Sequence, residues 1–81
     1  MATQSFTYPA SDGDIFTQQK WDQVVGESSS LDRNGDAYPI TVTGAVVAGD
    51  GLSVEITLET DAVLTPEEQA LIGFALRRMA A

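Results

Sequence analysis

Residues 40–59 read ITVTGAVVAGDGLSVEITLE and give the strongest structural signal in this chain of 81 residues. Two runs that alternate apolar and polar residues flank the Gly-Asp-Gly segment at 49–51. Alternation with a period of two is typical of strands that bury one face. A three-residue loop that ends in glycine suits a type I turn followed by a left-handed residue. The pattern therefore predicts an antiparallel β-hairpin.

The register of this hairpin follows from folding it about the centre of the loop. Val46 is then opposite Val54 and Val42 is opposite Leu58, so the apolar side chains of both strands meet on one face. Gly44 interrupts the first strand, which predicts a bulge or the close approach of another segment. The predicted apolar face consists of Ile40, Val42, Val46 and Ala48, with Leu52, Val54, Ile56 and Leu58 on the other strand.

A helix is predicted after the hairpin, beginning at Thr65. Thr65 is suited to cap the helix, Pro66 fits its first position, and Glu68 completes a capping box. Gly73 lowers the helix propensity by about 1 kcal/mol relative to alanine and allows close packing. We expect an apolar stripe to face the sheet, formed by Leu71, Ile72, Ala75, Leu76 and Met79, with Phe74 at its side.

The region before the hairpin predicts a shorter helix and an extended segment. Thr17 is a candidate N-cap, and Phe16 and Trp21 are spaced as a hydrophobic staple around it. Residues 1–10 include the alternating sequence Ser-Phe-Thr-Tyr. This segment fits either a short strand of the domain or an extended arm that lies on a neighbouring subunit.

Residues 27–38 are mostly polar and are predicted to form a loop before the hairpin. We interpret the chain, 1–81, as a single domain, because it is too short for two. The order of elements predicts an α+β fold in which two helices cover one face of one antiparallel hairpin. A two-stranded hairpin is only marginally stable, so a third strand comes from the N-terminal segment or from another subunit.

The sequence Asp-Arg-Asn-Gly-Asp at 32–36 is similar to the start of a calcium loop. Asp32, Asn34 and Asp36 would be its ligands, and a calcium-stabilised extracellular module would be the function. An EF-hand-type loop needs a bidentate acid at its twelfth position, where this chain has Thr43. The alternative is a polar turn held by its Asx side chains. We favour the turn and predict neither a metal ion nor a cofactor.

The composition excludes several classes of function. The chain has no cysteine and no histidine, so no imidazole or thiol can form a nucleophile–base pair, and we predict that it is not an enzyme. Twelve acidic and four basic residues give a net charge of −8, which disfavours binding to nucleic acids and to anionic membranes. We also expect no signal peptide and no transmembrane segment.

Residues 13–25, GDIFTQQKWDQVV, resemble a segment common near the start of tailed-bacteriophage virion proteins. In those proteins a Gly-Asp turn and a capping threonine lead into a short helix with a Trp-Asn or Trp-Asp pair and an aliphatic end. The resemblance implies a head-decoration, fibre-base or tail accessory protein that is made in the host cytoplasm and located in the virion. It also implies contacts with other virion proteins and a homo-oligomer, a trimer being favoured.

The favoured hypothesis is a non-catalytic structural subunit that acts by burying an interface. The alternative is an acidic soluble binding module or an inhibitor of a basic protein, including a DNA mimic, which would need carboxylates in ordered rows. Large aromatic side chains often anchor interfaces. The predicted interface residues are Phe6, Tyr8, Phe16, Trp21, Val24 and Val25.

Overall fold

The computed structural model describes residues 2–80. Met1 and Ala81, which belong to the predicted domain 1–81, lie outside the described residues, and Met1 also belongs to the predicted segment 1–10. The elements are β1 (Ala2–Pro9), α1 (Gln18–Trp21), a 3₁₀ turn (Asp22–Val24), β2 (Ser28–Arg33), β3 (Asp36–Val47), β4 (Ser53–Thr60) and α2 (Pro66–Met79). The strands form one antiparallel sheet in the order β1-β4-β3-β2. The predicted α+β class is confirmed, but the described residues form four strands and not a single hairpin.

The N-terminal segment is a strand of the domain. β1 pairs with β4 along its whole length, from Ala2 opposite Thr60 to Pro9 opposite Ser53. Phe6 is buried on the side of the sheet that the helices cover. Of the two alternatives for this segment, the strand is therefore the one that the structure shows, and it makes β4 a central strand.

The prediction of a polar loop at 27–38 was wrong. β2 pairs with the first half of β3, and Asn34 and Gly35 form the two-residue connection. Their φ angles of 53° and 88° are both left-handed, as a type I′ hairpin turn requires. β2 is at the edge of the sheet and most of its side chains are exposed, so its serine-rich sequence shows no apolar alternation.

A bulge changes the register of the hairpin between β3 and β4. The predicted pairing holds as far as Val42, and a register shift follows between Val42 and Gly44. Beyond it, Val46 is opposite Glu55 and not the predicted valine. Because side chains alternate between faces, the shift turns Ala45 into the core and leaves Val46 65% exposed. The bulge predicted from Gly44 is confirmed, and the inward position predicted for Val46 was wrong.

The tip of this hairpin also differs from the predicted pairing. The backbone N–H of Ala48 donates to the carbonyl of Ser53, so Ala48 does not pair with Leu52. The Leu52 side chain is 53% exposed and contributes nothing to the core. The shift introduced by the bulge explains this difference, because it moves every partner on β4 by one residue.

One face of the sheet carries the hydrophobic core, and both helical segments lie on that face. The opposite face is polar and is formed largely by hydroxyl side chains, with Glu55 and Glu59 on β4. The buried apolar cluster contains Phe6, Phe16, Trp21, Val24, Ile40, Val42, Ala45, Val54, Ile56, Leu58, Leu64, Leu76 and Ala80.

Thr17 precedes α1 in an extended conformation but makes no capping hydrogen bond through its side chain, contrary to the prediction.

Candidate interaction surface

The start of α2 has the geometry that the sequence predicts. The Thr65 hydroxyl accepts from the backbone N–H of Glu68 at 3.2 Å, and the Glu68 carboxylate accepts from the backbone N–H of Thr65 at 2.9 Å. Pro66 occupies the first turn. The capping box and the helix are therefore confirmed, and the two reciprocal bonds satisfy backbone donors that would otherwise be unpaired.

The centre of α2 packs closely on β1 because it carries Gly73. A Cβ atom built at this position would overlap the ring of Tyr8. The close packing predicted for Gly73 is thus confirmed, and Tyr8 is its partner. This contact sets the rotation of the helix, with Ile72 and Leu76 turned toward the core.

Two arginine–carboxylate pairs hold the ends of α2. Arg77 donates to both oxygens of Asp14 at 2.8 Å, which ties the last turns to the loop before α1. Arg33, at the end of β2, donates through Nε to Glu68 at 3.0 Å and through Nη2 to the carbonyl of Val63 at 2.9 Å. Both carboxylates belong to bidentate pairs, which have the most specific geometry among ion pairs.

These pairs change the acidity of their carboxyl groups. The hydrogen bonds from Arg77 lower the pKa of Asp14, and its positive charge adds to the effect. The hydrogen bonds from Arg33 lower the pKa of Glu68, and the backbone N–H of Thr65 acts in the same direction. In both cases desolvation opposes the shift without reversing it.

The side of α2 that faces away from the core is largely apolar and exposed. The Leu71 side chain is 68% exposed, Phe74 is 57% exposed and Met79 is 48% exposed. The predicted apolar stripe is therefore only partly correct, since Ile72 and Leu76 face the core while Leu71 and Met79 do not. The rotation fixed by Gly73 explains the difference. We call the exposed residues Glu67, Ala70, Leu71, Phe74, Ala75, Arg78 and Met79 the outer face of α2.

A groove separates α2 from the edge strand β2. Its volume is about 280 Å³. Ile40 and Val42 form part of the apolar lining, and Ile72 and Leu76 line the helix side. Residues 28–30 contribute three serines from β2. The groove joins the outer face of α2, because Leu71, Ala75 and Met79 line it as well.

The residues predicted to form an interface lie mainly inside this chain. Phe6, Phe16, Trp21 and Val24 are all less than 9% exposed and belong to the core. Tyr8 is half-buried against α2, and Val25 alone among the six is exposed, at 42%. The structure thus places four of the six residues in the core of the single chain.

The structure does not bring the three calcium candidates together. Asp32 is opposite Ala37 and Asp36 is opposite Arg33, so neighbouring positions of the hairpin turn their side chains to opposite faces. Asn34 occupies the turn itself. Residues 2–80 contain no group of three His, Cys, Asp or Glu side chains that could hold a metal ion. Residues 34 and 35 form the turn between β2 and β3.

Comparison with known proteins gives no relative for this chain: no protein-family model, no curated protein and no solved structure matches it. Within residues 2–80, no helix is long and apolar enough to cross a membrane. The surface must therefore be interpreted from its own geometry.

The sequence contained a signal for the outer face of α2 that the stripe prediction did not use. Between Leu71 and Met79, apolar residues occur on more than one side of the helix. A helix that packs on a core with one side needs only one apolar stripe. One small sheet covers only one side of α2, so its other apolar side stays exposed.

Proposed function

We propose that this protein is a non-catalytic structural subunit that acts by burying apolar surface against other proteins. The observation that carries the proposal is the outer face of α2. The core is complete without Leu71, Phe74 and Met79, yet these three large side chains lie together on one helix. Contiguous exposed apolar surface on a small domain is typical of a protein-interaction site.

The assembly that we propose is the virion of a tailed bacteriophage, with the chain as a head-decoration, fibre-base or tail accessory subunit. The support for this is the resemblance of residues 13–25 to a segment of such proteins. Phe16, Trp21 and Val24 of this segment are core residues here. The residues that carry the resemblance therefore pack within the chain, and we propose that the contacts with other virion proteins are made by α2.

Density-gradient purification of particles tests this proposal. Particles released from cells that carry the gene are banded, and each fraction is analysed for this chain by mass spectrometry. We expect the chain in the particle band, in a constant ratio to the major capsid protein. A chain that remains entirely with the free proteins at the top of the gradient would overturn the virion proposal.

Matched variants connect the particle band to α2. Replacing the exposed Phe74 with Glu places a charge in the outer face and should remove the chain from the band. Leu52→Glu is the control, because Leu52 is exposed to a similar extent but lies at the tip of the β3–β4 hairpin, outside α2. Loss of both variants from the band, or of neither, would argue against α2 as the contact surface.

The acidic binding module stays as a second candidate because the chain has a net charge of −8. Arg33 and Arg77 are used in internal ion pairs, and Lys20 and Arg78 are the two Lys and Arg side chains outside the ion pairs of residues 2–80. The polar sheet face, however, presents mainly hydroxyls between its glutamates, and this disfavours DNA mimicry. Binding to a basic DNA-binding protein that falls steeply with salt and is displaced by duplex DNA would favour this candidate.

A further inference from the structure

Four exposed residues form a straight seam along the outer face of α2. Glu67, Leu71, Phe74 and Arg78 are separated by four, three and four positions. This spacing is that of a coiled-coil contact and keeps the four side chains on one side of the helix. All four are exposed, and they lie opposite the side that carries the buried Leu76.

The seam is complementary to itself when two copies run antiparallel. About a twofold axis through the middle of α2, Leu71 of each copy lies beside Phe74 of the other. Ala70 lies beside Ala75, and these small side chains let the helices approach closely. Such an arrangement is isologous, since each contact occurs twice.

The two ends of the seam carry opposite charges, Glu67 at one end and Arg78 at the other. Glu68 and Arg77 are engaged with Arg33 and Asp14, whereas neither Glu67 nor Arg78 makes an ion pair in the described part of the chain. In the antiparallel pair, Glu67 of each copy meets Arg78 of the other. The opposed helix dipoles also favour this orientation.

We propose that the outer face of α2 pairs with the same face of a second copy, antiparallel about a twofold axis. The inference rests on the proposed function, because it names the partner of the same surface. One helix of 14 residues on each side gives less contact than a standard interface of about 1,600 Å². The pair is therefore reversible, and it is a dimer where the phage resemblance implied a trimer.

Sedimentation equilibrium of charge-reversed variants tests the pairing. Glu67→Arg alone places arginine against Arg78 at both ends, and Arg78→Glu alone places glutamate against Glu67. We expect each variant alone to dimerise at least about tenfold more weakly than the unmodified chain. An equimolar mixture of the two should dimerise as the unmodified chain does, because every end then carries opposite charges.

Two uncharged variants separate pairing from folding. Phe74→Ser should abolish the dimer, and Leu52→Ser, an exposed leucine outside α2, should leave it unchanged. Melting curves of all variants confirm that the monomers are folded. The proposal is overturned if the unmodified chain stays monomeric up to about 1 mM, forms a trimer, or dimerises equally well when either charge is reversed. A chain that bands with particles but stays monomeric contradicts the pairing alone, and a dimer absent from particles contradicts the virion proposal alone.

Discussion

Trp21 is at the centre of an aromatic cluster that joins three parts of the chain. Its ring meets Phe16 edge-on with 5.2 Å between centroids, and Phe16 stacks on Tyr8 of β1 at 6.2 Å. The guanidinium of Arg77, from α2, lies 5.6 Å from the centroid of the Phe16 ring. Trp21 is 1% exposed, so its contribution is to the stability of one chain.

Replacing Trp21 with Ala should therefore destabilise the folded monomer. The loss of a fully buried aromatic side chain leaves a cavity, and we expect the free energy of unfolding to fall by about 3–5 kcal/mol. Urea unfolding followed by circular dichroism measures this change. Phe74→Ala is the control and should alter the stability by less than about 0.5 kcal/mol, because Phe74 is exposed. Dissociation of Trp21→Ala into monomers of unchanged stability would restore the interface role.

The short helix α1 supplies a side chain that hydrogen-bonds to the edge of β3. β2 pairs with β3 only as far as Thr41, so the rest of that edge needs other partners. The backbone of Gly26 and Glu27 bonds to Val42. Further along, the Gln18 side chain donates to the carbonyl of Ala45 at 2.7 Å and accepts from the N–H of Val47 at 2.8 Å. A side-chain amide thus continues the hydrogen bonding of a strand.

Gln18→Ala should destabilise the protein by about 1–2 kcal/mol, because it leaves two backbone groups of β3 without protein partners. Gln19→Ala is a matched control from the next position, which is also exposed, and it should change the stability by less than about 0.5 kcal/mol. Chemical unfolding of the two variants side by side measures the difference. Equal stabilities would show that water replaces the Gln18 amide without loss.

The elements with strong local signals could be predicted, and those that depend on their neighbours could not. The capping box at Thr65 and the hairpin of residues 40–59 follow from local patterns. The β2 strand was missed because an exposed edge strand needs no apolar alternation, although Asn34-Gly35 is a strong hairpin turn signal. The outward position of Val46 depends on the bulge, which displaces all later pairs by one residue.

The orientation of α2 illustrates the same limit at the candidate surface. The helix is apolar on more than one side, so the sequence alone does not determine which apolar stripe faces the core. The contact between Gly73 and Tyr8 determines the rotation of the helix. It joins residues that are far apart in the sequence. Leu71 and Phe74 could be recognised as surface residues only once that contact was known.

At the level of the whole molecule, two ion pairs connect α2 to the rest of an otherwise acidic protein. Asp14 and Glu68 both have a pKa below the usual value because of their arginine partners. A carboxyl group whose pKa is lower in the folded state stabilises that state while it is ionised. This contribution is present at neutral pH and is lost as the pH falls through the ordinary carboxyl range to the lowered values.

We therefore expect the melting temperature to fall below about pH 4, and Asp14→Asn to weaken that dependence. Replacing Asp14 removes one of the two carboxyl groups whose pKa an arginine partner lowers. Asp12→Asn is the control, since Asp12 makes no ion pair among residues 2–80. Thermal unfolding between neutral pH and about pH 2.5 gives the comparison. Identical pH profiles for Asp14→Asn and the unmodified chain would contradict a stabilising role for the Arg77 pair.

Hydroxyl-radical footprinting tests most directly whether protein covers the outer face of α2 in the assembled state. The modification rates of Leu71, Phe74 and Met79 are measured in the dilute free chain and in purified particles. Val46 and Leu52, which are exposed elsewhere, serve as internal references. We predict rates several-fold lower on α2 in the particles and unchanged rates at the two references. Equal rates on α2 in both states, or protection at the references alone, would contradict the account.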